Sequence, residues 1–228
     1  MSTKNFNLRD QPAYGVAEAA RYLRLPAATL RSWVAGREYP KGDTVATFHP
    51  LIRVARSIPP ALSFYNLVET HVLRSLRTEH GVALQELRKA IKFAESALRI
   101  DRLLLSRDLC THAGKVFLDK YGALINLSAS GQLAMRRMFE EHLKRVEWDD
   151  FKFPIRLYPY VGTQASGSRH IVIDPTIAFG RPIVLRAGVS TGAIAERIDA
   201  GESVEALAED YGLQPEEIEE AVLCERAA

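Results

Sequence analysis

The sequence predicts a mainly helical α+β fold made of more than one compact unit, and three observations support this prediction. The chain has 228 residues, more than a typical single domain, and 47% of them are hydrophobic, which is enough to form buried cores. Apolar residues recur at helical spacing along most of the chain, and short strand-like runs occupy only a few segments. Residues 1–60 hold 9 Lys and Arg against 4 Asp and Glu, whereas residues 171–228 hold 4 against 12. Ends of opposite charge predict contacts with two different partners.

The basic end begins with two predicted short helices in residues 14–36. Pro26 separates them, because proline lacks the amide hydrogen of a continuous helix but suits the start of a new one. The following stretch, Glu38–Pro60, has two short apolar runs, Val45–Phe48 and Leu51–Ala55, among prolines and a glycine. This pattern predicts a β-hairpin, so the first segment is predicted to be a winged helix-turn-helix head.

The middle of the chain is predicted to combine helices with a small β-sheet. Helical spacing begins at Leu62, with Ser63 as an N-cap, and recurs over Val82–Ala97 and Ser130–Val146. The predicted strands are Leu103–Leu105, Val116–Leu118, Ala123–Leu127 and Phe151–Val161.

The acidic end follows Gly162–Ser168, a small and polar stretch that is typical of a flexible linker. We predict a short strand at His170–Ile173 and then three helices, each with a capping serine or a first-turn proline at its start. These helices are Ser190–Ala200, Ser203–Tyr211 and Pro215–Arg226. The predicted domains are therefore residues 1–80, 81–161 and 169–228.

The second helix of the head is predicted to enter a DNA major groove. Leu30 and Val34 face inward in Ala27–Ala35, which leaves the N-terminal half of this helix exposed. Arg31 can contact guanine bidentately or hold a phosphate, and basic residues of the turn and wing can neutralise further phosphates. The candidate DNA-binding residues are Arg24, Thr29, Arg31, Ser32, Arg37, Lys41, Arg53 and Arg56. The alternative is a small helical hairpin with solvated arginines.

The last helix is predicted to avoid DNA, because its four glutamates would be repelled by phosphates. These residues are Glu216, Glu217, Glu219 and Glu220. They predict a protein-binding surface or a dimer contact, and the alternative is a plain solvated acidic face.

No catalytic residues, metal ligands or cofactor are expected. The six histidines are scattered, and the chain has no H-E-x-x-H, G-x-S-x-G or phosphate-loop motif. An apolar run of roughly 18 residues, as a membrane span needs, is missing, and Met1–Asp10 lacks the apolar core of a signal peptide. We therefore expect a cytoplasmic protein with no membrane contact.

The segment GVAEAARYLRLPAATLRSW resembles the N-terminal motif of MerR-like winged helix-turn-helix regulators. The matching residues are Ala20, Leu23, Thr29, Leu30, Arg31 and Trp33. Pro26 stands where that family often has a capping serine. The resemblance covers about the first 80 residues and implies DNA binding.

The segment His170–Glu225 resembles the small domain of VapB-type antitoxins, and with a MerR-like head the whole chain resembles the larger members of that group. The resemblance implies a PIN-like ribonuclease toxin as partner and repression of its own operon, and hence operator DNA as a second partner. We predict that the chain is a homodimer, because two heads related by a two-fold axis would bind a palindrome-like operator. The chain departs from the family pattern at Arg186–Thr191, where Gly188 replaces a common basic residue.

The resemblance leaves two kinds of toxin contact open. The four glutamates could face the basic RNA-binding surface of the toxin, or arginines could approach its metal-binding carboxylates. The candidate arginines are Arg181, Arg186 and Arg197. The alternative function is a MerR-like transcriptional regulator that senses a small ligand through its central region. An enzyme would need a titratable cluster that the spacing does not show.

Overall fold

The computed structural model describes residues 7–42, 44–77, 84–124, 128–161 and 168–226. The chain divides into two compact units. The terminal unit combines Met1–Leu67 with Arg156–Ala228, and the central unit is Val68–Ile155. Helices predominate over small sheets, which confirms the mainly helical α+β fold class.

The N-terminal part of the terminal unit contains two helices and five short strands. In chain order these are β1 (Tyr14–Gly15), α1 (Val16–Tyr22), α2 (Ala27–Ala35), β2 (Arg37–Lys41), β3 (Thr44–Phe48), β4 (Arg56–Ser57) and β5 (Pro60–Leu62). Strands β2 and β3 form an antiparallel hairpin, and β1, β5 and β4 form an antiparallel sheet in that order.

The hairpin lies one strand earlier in the chain than the sequence analysis predicted. The predicted strand at Leu51–Ala55 is wrong, because the amides of Leu51 and Ile52 donate to the Trp33 carbonyl at 2.7 and 3.2 Å. Strand β2 pairs with β3 instead. Gly36 makes this possible: its φ of +76° turns the chain directly from α2 into β2, and a Cβ there would lie 2.5 Å from the Phe48 carbonyl oxygen.

The next segment is mostly helical. Its elements are α3 (Phe64–Arg77), α4 (Leu84–Leu98), α5 (His112–Leu124), α6 (Ala129–Leu143), β6 (Val146–Trp148) and β7 (Pro154–Leu157), the last two being paired. The Oγ atom of Ser63 accepts a hydrogen bond from the Asn66 amide at 3.2 Å, which confirms the predicted N-cap of α3. Phe117 packs between Tyr121 and Phe139 at ring-centroid distances of 6.1 and 5.9 Å.

Two strands predicted for the central unit are wrong, and a third, Ala123–Leu127, begins inside a helix. Leu103–Leu105 is a 3₁₀ turn, and Val116–Leu118 lies inside α5 together with Ala123. Residues 125–127, at the end of the third predicted strand, lie outside the described residues. The physical reason is that Ala113, Phe117 and Tyr121 are buried at intervals of four residues, which is helical spacing. The predicted strand at Phe151–Val161 is present as the shorter β7.

The C-terminal part of the terminal unit has the three predicted helices. Its elements are β8 (Ile171–Val172), β9 (Ile183–Val184), β10 (Val189–Ser190), α7 (Thr191–Asp199), α8 (Val204–Tyr211) and α9 (Pro215–Arg226), with sheet order β10–β9–β8. Ser190 and Ser203 cap α7 and α8 by accepting hydrogen bonds from Gly192 and Ala206 at 3.2 and 3.1 Å. Of the predicted linker, residues 162–167 lie outside the described residues.

The two units regroup the predicted domains. Residues 1–67 of the segment predicted as the first domain share the terminal unit with the predicted third domain, and the rest of that segment belongs to the central unit. Tyr14 shows why: its side chain is 1% exposed, and its hydroxyl donates to the Gly180 carbonyl at 2.9 Å. Such a contact joins residues 166 positions apart and leaves no trace in local sequence patterns. In the part of the chain that the structure describes, no helix has the length and hydropathy of a transmembrane span.

Candidate nucleic-acid and partner interfaces

The turn between α1 and α2 determines which side of α2 is exposed. Arg24 adopts a left-handed φ of 49°, and the Leu25 amide donates back to Ala20 at 2.9 Å. Pro26 is the N-cap of α2. Helix α2 then buries three side chains to 4% exposure or less, namely Leu30, Trp33 and Val34. Its opposite side faces solvent, as a recognition helix requires.

Three predicted DNA-binding residues lie on α2, and the structure separates them by exposure. Arg31 is exposed, whereas Thr29 and Ser32 are half-buried. The Ser32 hydroxyl donates to the Thr29 carbonyl at 2.8 Å, so it is engaged within the helix. Arg31 is therefore the best placed of the three to contact a nucleic acid.

Four predicted phosphate-binding residues lie in or after the hairpin. Arg37, Arg53 and Arg56 are exposed, and the Arg56 Nε donates to the Pro59 carbonyl at 3.2 Å. The Arg53 carbonyl accepts a hydrogen bond from the Asn66 Nδ2 at 2.9 Å, which fixes its backbone and leaves the guanidinium exposed. Lys41 ends β2, and its side chain lies outside the described part of the structure.

Arg24 differs from the other basic residues of the head, because it bonds to the C-terminal segment. Its Nη2 donates to the Leu223 carbonyl in α9 at 3.1 Å. The neighbouring Arg21 forms an ion pair with Glu225 at 2.9 Å, and Glu225 also accepts a hydrogen bond from Thr191 at 2.6 Å. Helix α1 is thereby held against α9.

The three arginines predicted to approach a toxin all bind groups of this chain. Arg181 pairs with Glu18 of α1. Arg186 donates to the Gly212 carbonyl, and its Nε lies 3.6 Å from Glu217. Arg197 makes the most contacts of the three.

The Arg197 guanidinium contacts two carboxylates and an aromatic ring. It donates two hydrogen bonds to Glu202 at 2.7 and 2.5 Å and one to Asp210 at 2.5 Å, and its guanidinium lies 5.1 Å from the Tyr211 ring centroid. The hydrogen bonds to Glu202 and Asp210 raise the pKa of Arg197 and lower that of Glu202. This network ties α7 to α8.

Of the four glutamates predicted to form the acidic surface of α9, two bond to groups of this chain and two are exposed. The Glu217 side chain is buried and caps α9 by accepting a hydrogen bond from the Gln214 amide at 2.8 Å. Glu220 accepts a hydrogen bond from Ser168 at 2.5 Å and lies 3.4 Å from the His170 Nδ1. Glu216 and Glu219 are exposed, so the acidic surface is narrower than the sequence predicted.

Two features of the terminal unit were missed by the sequence analysis. Phe179 is 95% exposed on the loop between β8 and β9. A cavity of about 620 Å³ lies at the start of α9. Its lining residues are Arg169, His170, Leu185, Arg186, Gln214, Glu216 and Glu217. The sequence signal for the first feature was an aromatic residue in the turn that begins at Asp174-Pro175, and no local pattern marks the second.

The central unit contains a pair of buried histidines, His71 and His142, whose ring centroids are 5.0 Å apart. The Nε2 of His71 lies 3.0 Å from the His142 carbonyl, and the Nδ1 of His142 lies 3.0 Å from the Met138 carbonyl. Burial lowers the pKa of both, to about 4 for His142, and keeps the rings neutral at pH 7. Across the described residues, no three His, Cys, Asp or Glu side chains are grouped as metal ligands.

Comparison with known families matches two parts of the chain. Residues 12–91 match a family described as "Putative DNA-binding HTH domain", which spans the head and extends into α4. Residues 171–223 match a family described as "Protein of unknown function (DUF433)", which spans β8 to α9. The first match supports a helix-turn-helix DNA-binding domain at the basic end.

Comparison with whole proteins extends the similarity over nearly the entire chain. The "Putative antitoxin VapB45" of Mycobacterium tuberculosis is 29% identical over 93% of each chain. The "Uncharacterized protein Rv2308" of the same organism is 26% identical over 95% of this chain and 91% of its own length. The crystal structure of Rv2018 from Mycobacterium tuberculosis has the same fold, with a TM-score of 0.67, 24% identity, and coverage of 94% and 98%.

Proposed function

We propose that this protein is a cytoplasmic, non-enzymatic, DNA-binding antitoxin of a type II toxin-antitoxin system. It neutralises a PIN-like ribonuclease toxin stoichiometrically and represses its own operon as a homodimer with MerR-like heads. The observation that carries this proposal is the similarity to an antitoxin over 93% of both chains. Because the similarity includes both charged ends, it supports one function for the whole chain.

The DNA contact is proposed to centre on Arg31. Its exposure on α2, opposite the buried Leu30 and Trp33, is the geometry of a base-contacting or phosphate-contacting residue. Arg37, Arg53 and Arg56, which are exposed, and Lys41 are proposed to hold phosphates around it. Ser32 bonds to the Thr29 carbonyl within α2, and Arg24 positions the turn through its bond to α9.

The toxin contact is proposed to use the exposed glutamates of α9. Glu216 and Glu219 face solvent and would complement a basic RNA-binding surface on the toxin. The remaining candidates have a first role inside the fold, because each bonds to this chain. They are Arg181, Arg186, Arg197, Glu217 and Glu220.

The DNA contact is tested by Arg31→Ala against operator DNA upstream of the gene, with an electrophoretic mobility shift at fixed salt. The loss of a bidentate contact should weaken binding by about 1–3 kcal/mol, roughly tenfold to hundredfold. Arg107→Ala removes an exposed arginine from the central unit and serves as the matched control. Unchanged affinity of the Arg31 variant would remove this residue from the interface.

The toxin contact is tested by co-expression with the neighbouring gene and a pull-down. Reversal of both charges, Glu216→Arg with Glu219→Arg, should abolish co-purification. The matched control reverses Glu205 and Glu209, two exposed glutamates of α8. Retention of the toxin by the α9 variant, or its equal loss in the α8 variant, would refute an acidic contact on α9.

A further inference from the structure

The loop between β8 and β9 holds an aromatic side chain in solvent. In this loop, Phe179 is 95% exposed and Ile177 is 39% exposed. Ala178 and Phe179 both adopt left-handed backbone conformations, with φ of 48° and 55°. Non-glycine residues rarely occupy this region, so the surrounding structure must impose it.

The loop is fixed at its start by the buried Asp174. The Oδ1 atom of Asp174 accepts hydrogen bonds from the Thr176 amide and hydroxyl at 2.9 and 2.6 Å. Its Oδ2 accepts a hydrogen bond from the Arg156 Nε at 2.8 Å. These contacts order the residues that precede Phe179.

The loop is fixed at its end by the head. The Gly180 carbonyl accepts a hydrogen bond from the buried Tyr14, and Arg181 pairs with Glu18. A Cβ on Gly180 would lie 2.3 Å from the Tyr14 hydroxyl oxygen, so the Gly180 backbone fits closely against the Tyr14 side chain. Phe179 is thus a pre-organised aromatic anchor, which binds a partner with little loss of conformational entropy.

The α9 cavity, defined above by its seven lining residues, suits an aromatic side chain. Its volume of about 620 Å³ is within the range of ligand pockets. Leu185 supplies an apolar wall and is 43% exposed. Two guanidinium groups, which favour aromatic rings, border the cavity: Arg169 lies 5.2 Å from the Tyr158 ring centroid, and Arg186 donates to the Gly212 carbonyl. Glu216 and Glu217 balance their charge.

The loop and the cavity lie at opposite ends of one hairpin. Strands β8 and β9 pair with Ile171 opposite Val184 and Val172 opposite Ile183. The residues between them form the Phe179 loop, whereas the cavity residues Arg169, His170, Leu185 and Arg186 flank the other end. If two copies align antiparallel about a two-fold axis, each loop meets the other copy's cavity.

We infer that the chain dimerises by inserting Phe179 of each protomer into the α9 cavity of its partner. This inference rests on the homodimer of the proposed function and names its contact. Because α2 belongs to the same compact unit, the contact would also set the relation between the two DNA-binding helices.

The test measures the self-association of the full chain by sedimentation equilibrium, without DNA or toxin. Phe179→Asn removes the ring and suits a left-handed backbone, and Leu185→Glu places a charge in the cavity. Each change breaks both symmetry-related contacts. The dimer Kd should rise about a hundredfold, from roughly tenfold per buried aromatic contact. Phe151→Asn is the matched control, since Phe151 is 83% exposed in the central unit.

Mixing the two variants gives the decisive result. A heterodimer of Phe179→Asn with Leu185→Glu keeps one intact contact, so the mixture should associate more tightly than either variant alone. Such rescue would not follow from misfolding of either chain.

The inference is overturned if the wild-type chain is monomeric at about 100 μM. Equal weakening by Phe151→Asn, or a mixture no tighter than the separate variants, would overturn it as well. A Phe179→Asn dimer as tight as that of the wild-type chain would overturn it too. Since the assay contains neither DNA nor toxin, its failure is distinguishable from failure of the proposed function.

Discussion

The terminal and central units use charged and titratable groups in different ways. In the terminal unit, distant segments are joined near the surface, by Arg21 with Glu225 and by Arg24 with the Leu223 carbonyl. In the central unit, His71 and His142 are buried as neutral rings. Exposed ion pairs contribute little and are screened by salt, whereas burying a neutral base makes stability depend on pH. Loss of a surface ion pair in the terminal unit should therefore cost less stability than protonation of the buried histidines in the central unit.

The largest expected effect is acid destabilisation of the central unit. The folded-state pKa of His142, about 4, lies below the usual 6.5 because of burial, so the unfolded chain binds more protons between these values. Stability is then complete above about pH 6.5 and falls as the pH drops towards 4, by about 3 kcal/mol for His142 alone. The shift of His71 has the same sign and adds to the loss. Hydrogen exchange of α3 and α6 peptides at several pH values measures the change.

The matched variant for this prediction is His142→Gln. It removes the titrating ring, so its stability should fall less steeply between pH 6.5 and 4.5, whatever its stability at neutral pH. An equally steep fall in the variant would assign the acid sensitivity to other groups.

An intermediate effect is expected where the loop of the terminal unit meets the head. Gly180→Ala adds a Cβ 2.3 Å from the Tyr14 hydroxyl oxygen at a φ of +76°. Backbone strain and a lost buried hydrogen bond should lower the free energy of unfolding by about 2–4 kcal/mol. Gly188→Ala is the control, because Gly188 also has a positive φ but no atom within 4 Å of the added Cβ. The control should lose only about 1 kcal/mol in urea titrations. Equal losses would show that the Tyr14 contact contributes nothing.

The smallest effect is expected from the ion pair between α1 and α9. Glu225→Gln removes the charge facing Arg21 and should lower stability by at most about 1 kcal/mol at low salt. The loss should shrink as NaCl is added. Glu141→Gln in the central unit, whose partner Lys144 is 2.7 Å away and 64% exposed, should cause no measurable change. A loss for Glu225→Gln that is independent of salt would point to its hydrogen bond with Thr191 instead.

Local patterns predicted several elements because short-range physics controls them. The capping serines Ser63, Ser190 and Ser203 and the N-terminal Pro215 were predicted from residue type alone. The strands around Leu103 and Val116 were wrong, since short apolar runs fit a buried helix or 3₁₀ turn as well as a strand. Packing against neighbouring helices decided between these possibilities.

The candidate sites also divide into features that local patterns predicted and features that depend on distant contacts. The sequence indicated the sign of each surface and pointed to Arg31 as an exposed cation, because inward-facing residues of α2 follow from helical period. It could not show that Arg197 binds Glu202 and Asp210, or that Arg24 bonds to α9, because partners across a loop or 199 residues apart have no fixed spacing.

The sequence by itself determined the fold class, the helix-turn-helix pattern at the basic end and the three capped helices at the acidic end. These depend on periodicity, capping and net charge, which are properties of neighbouring residues. Only the tertiary structure decided that the two ends share one compact unit and which charges remain exposed. It also decided that Phe179 is exposed at one end of the β8–β9 hairpin and that a cavity lies at the other end. Those outcomes depend on contacts between distant residues, where burial and hydrogen bonding select one arrangement from many that the local pattern allows.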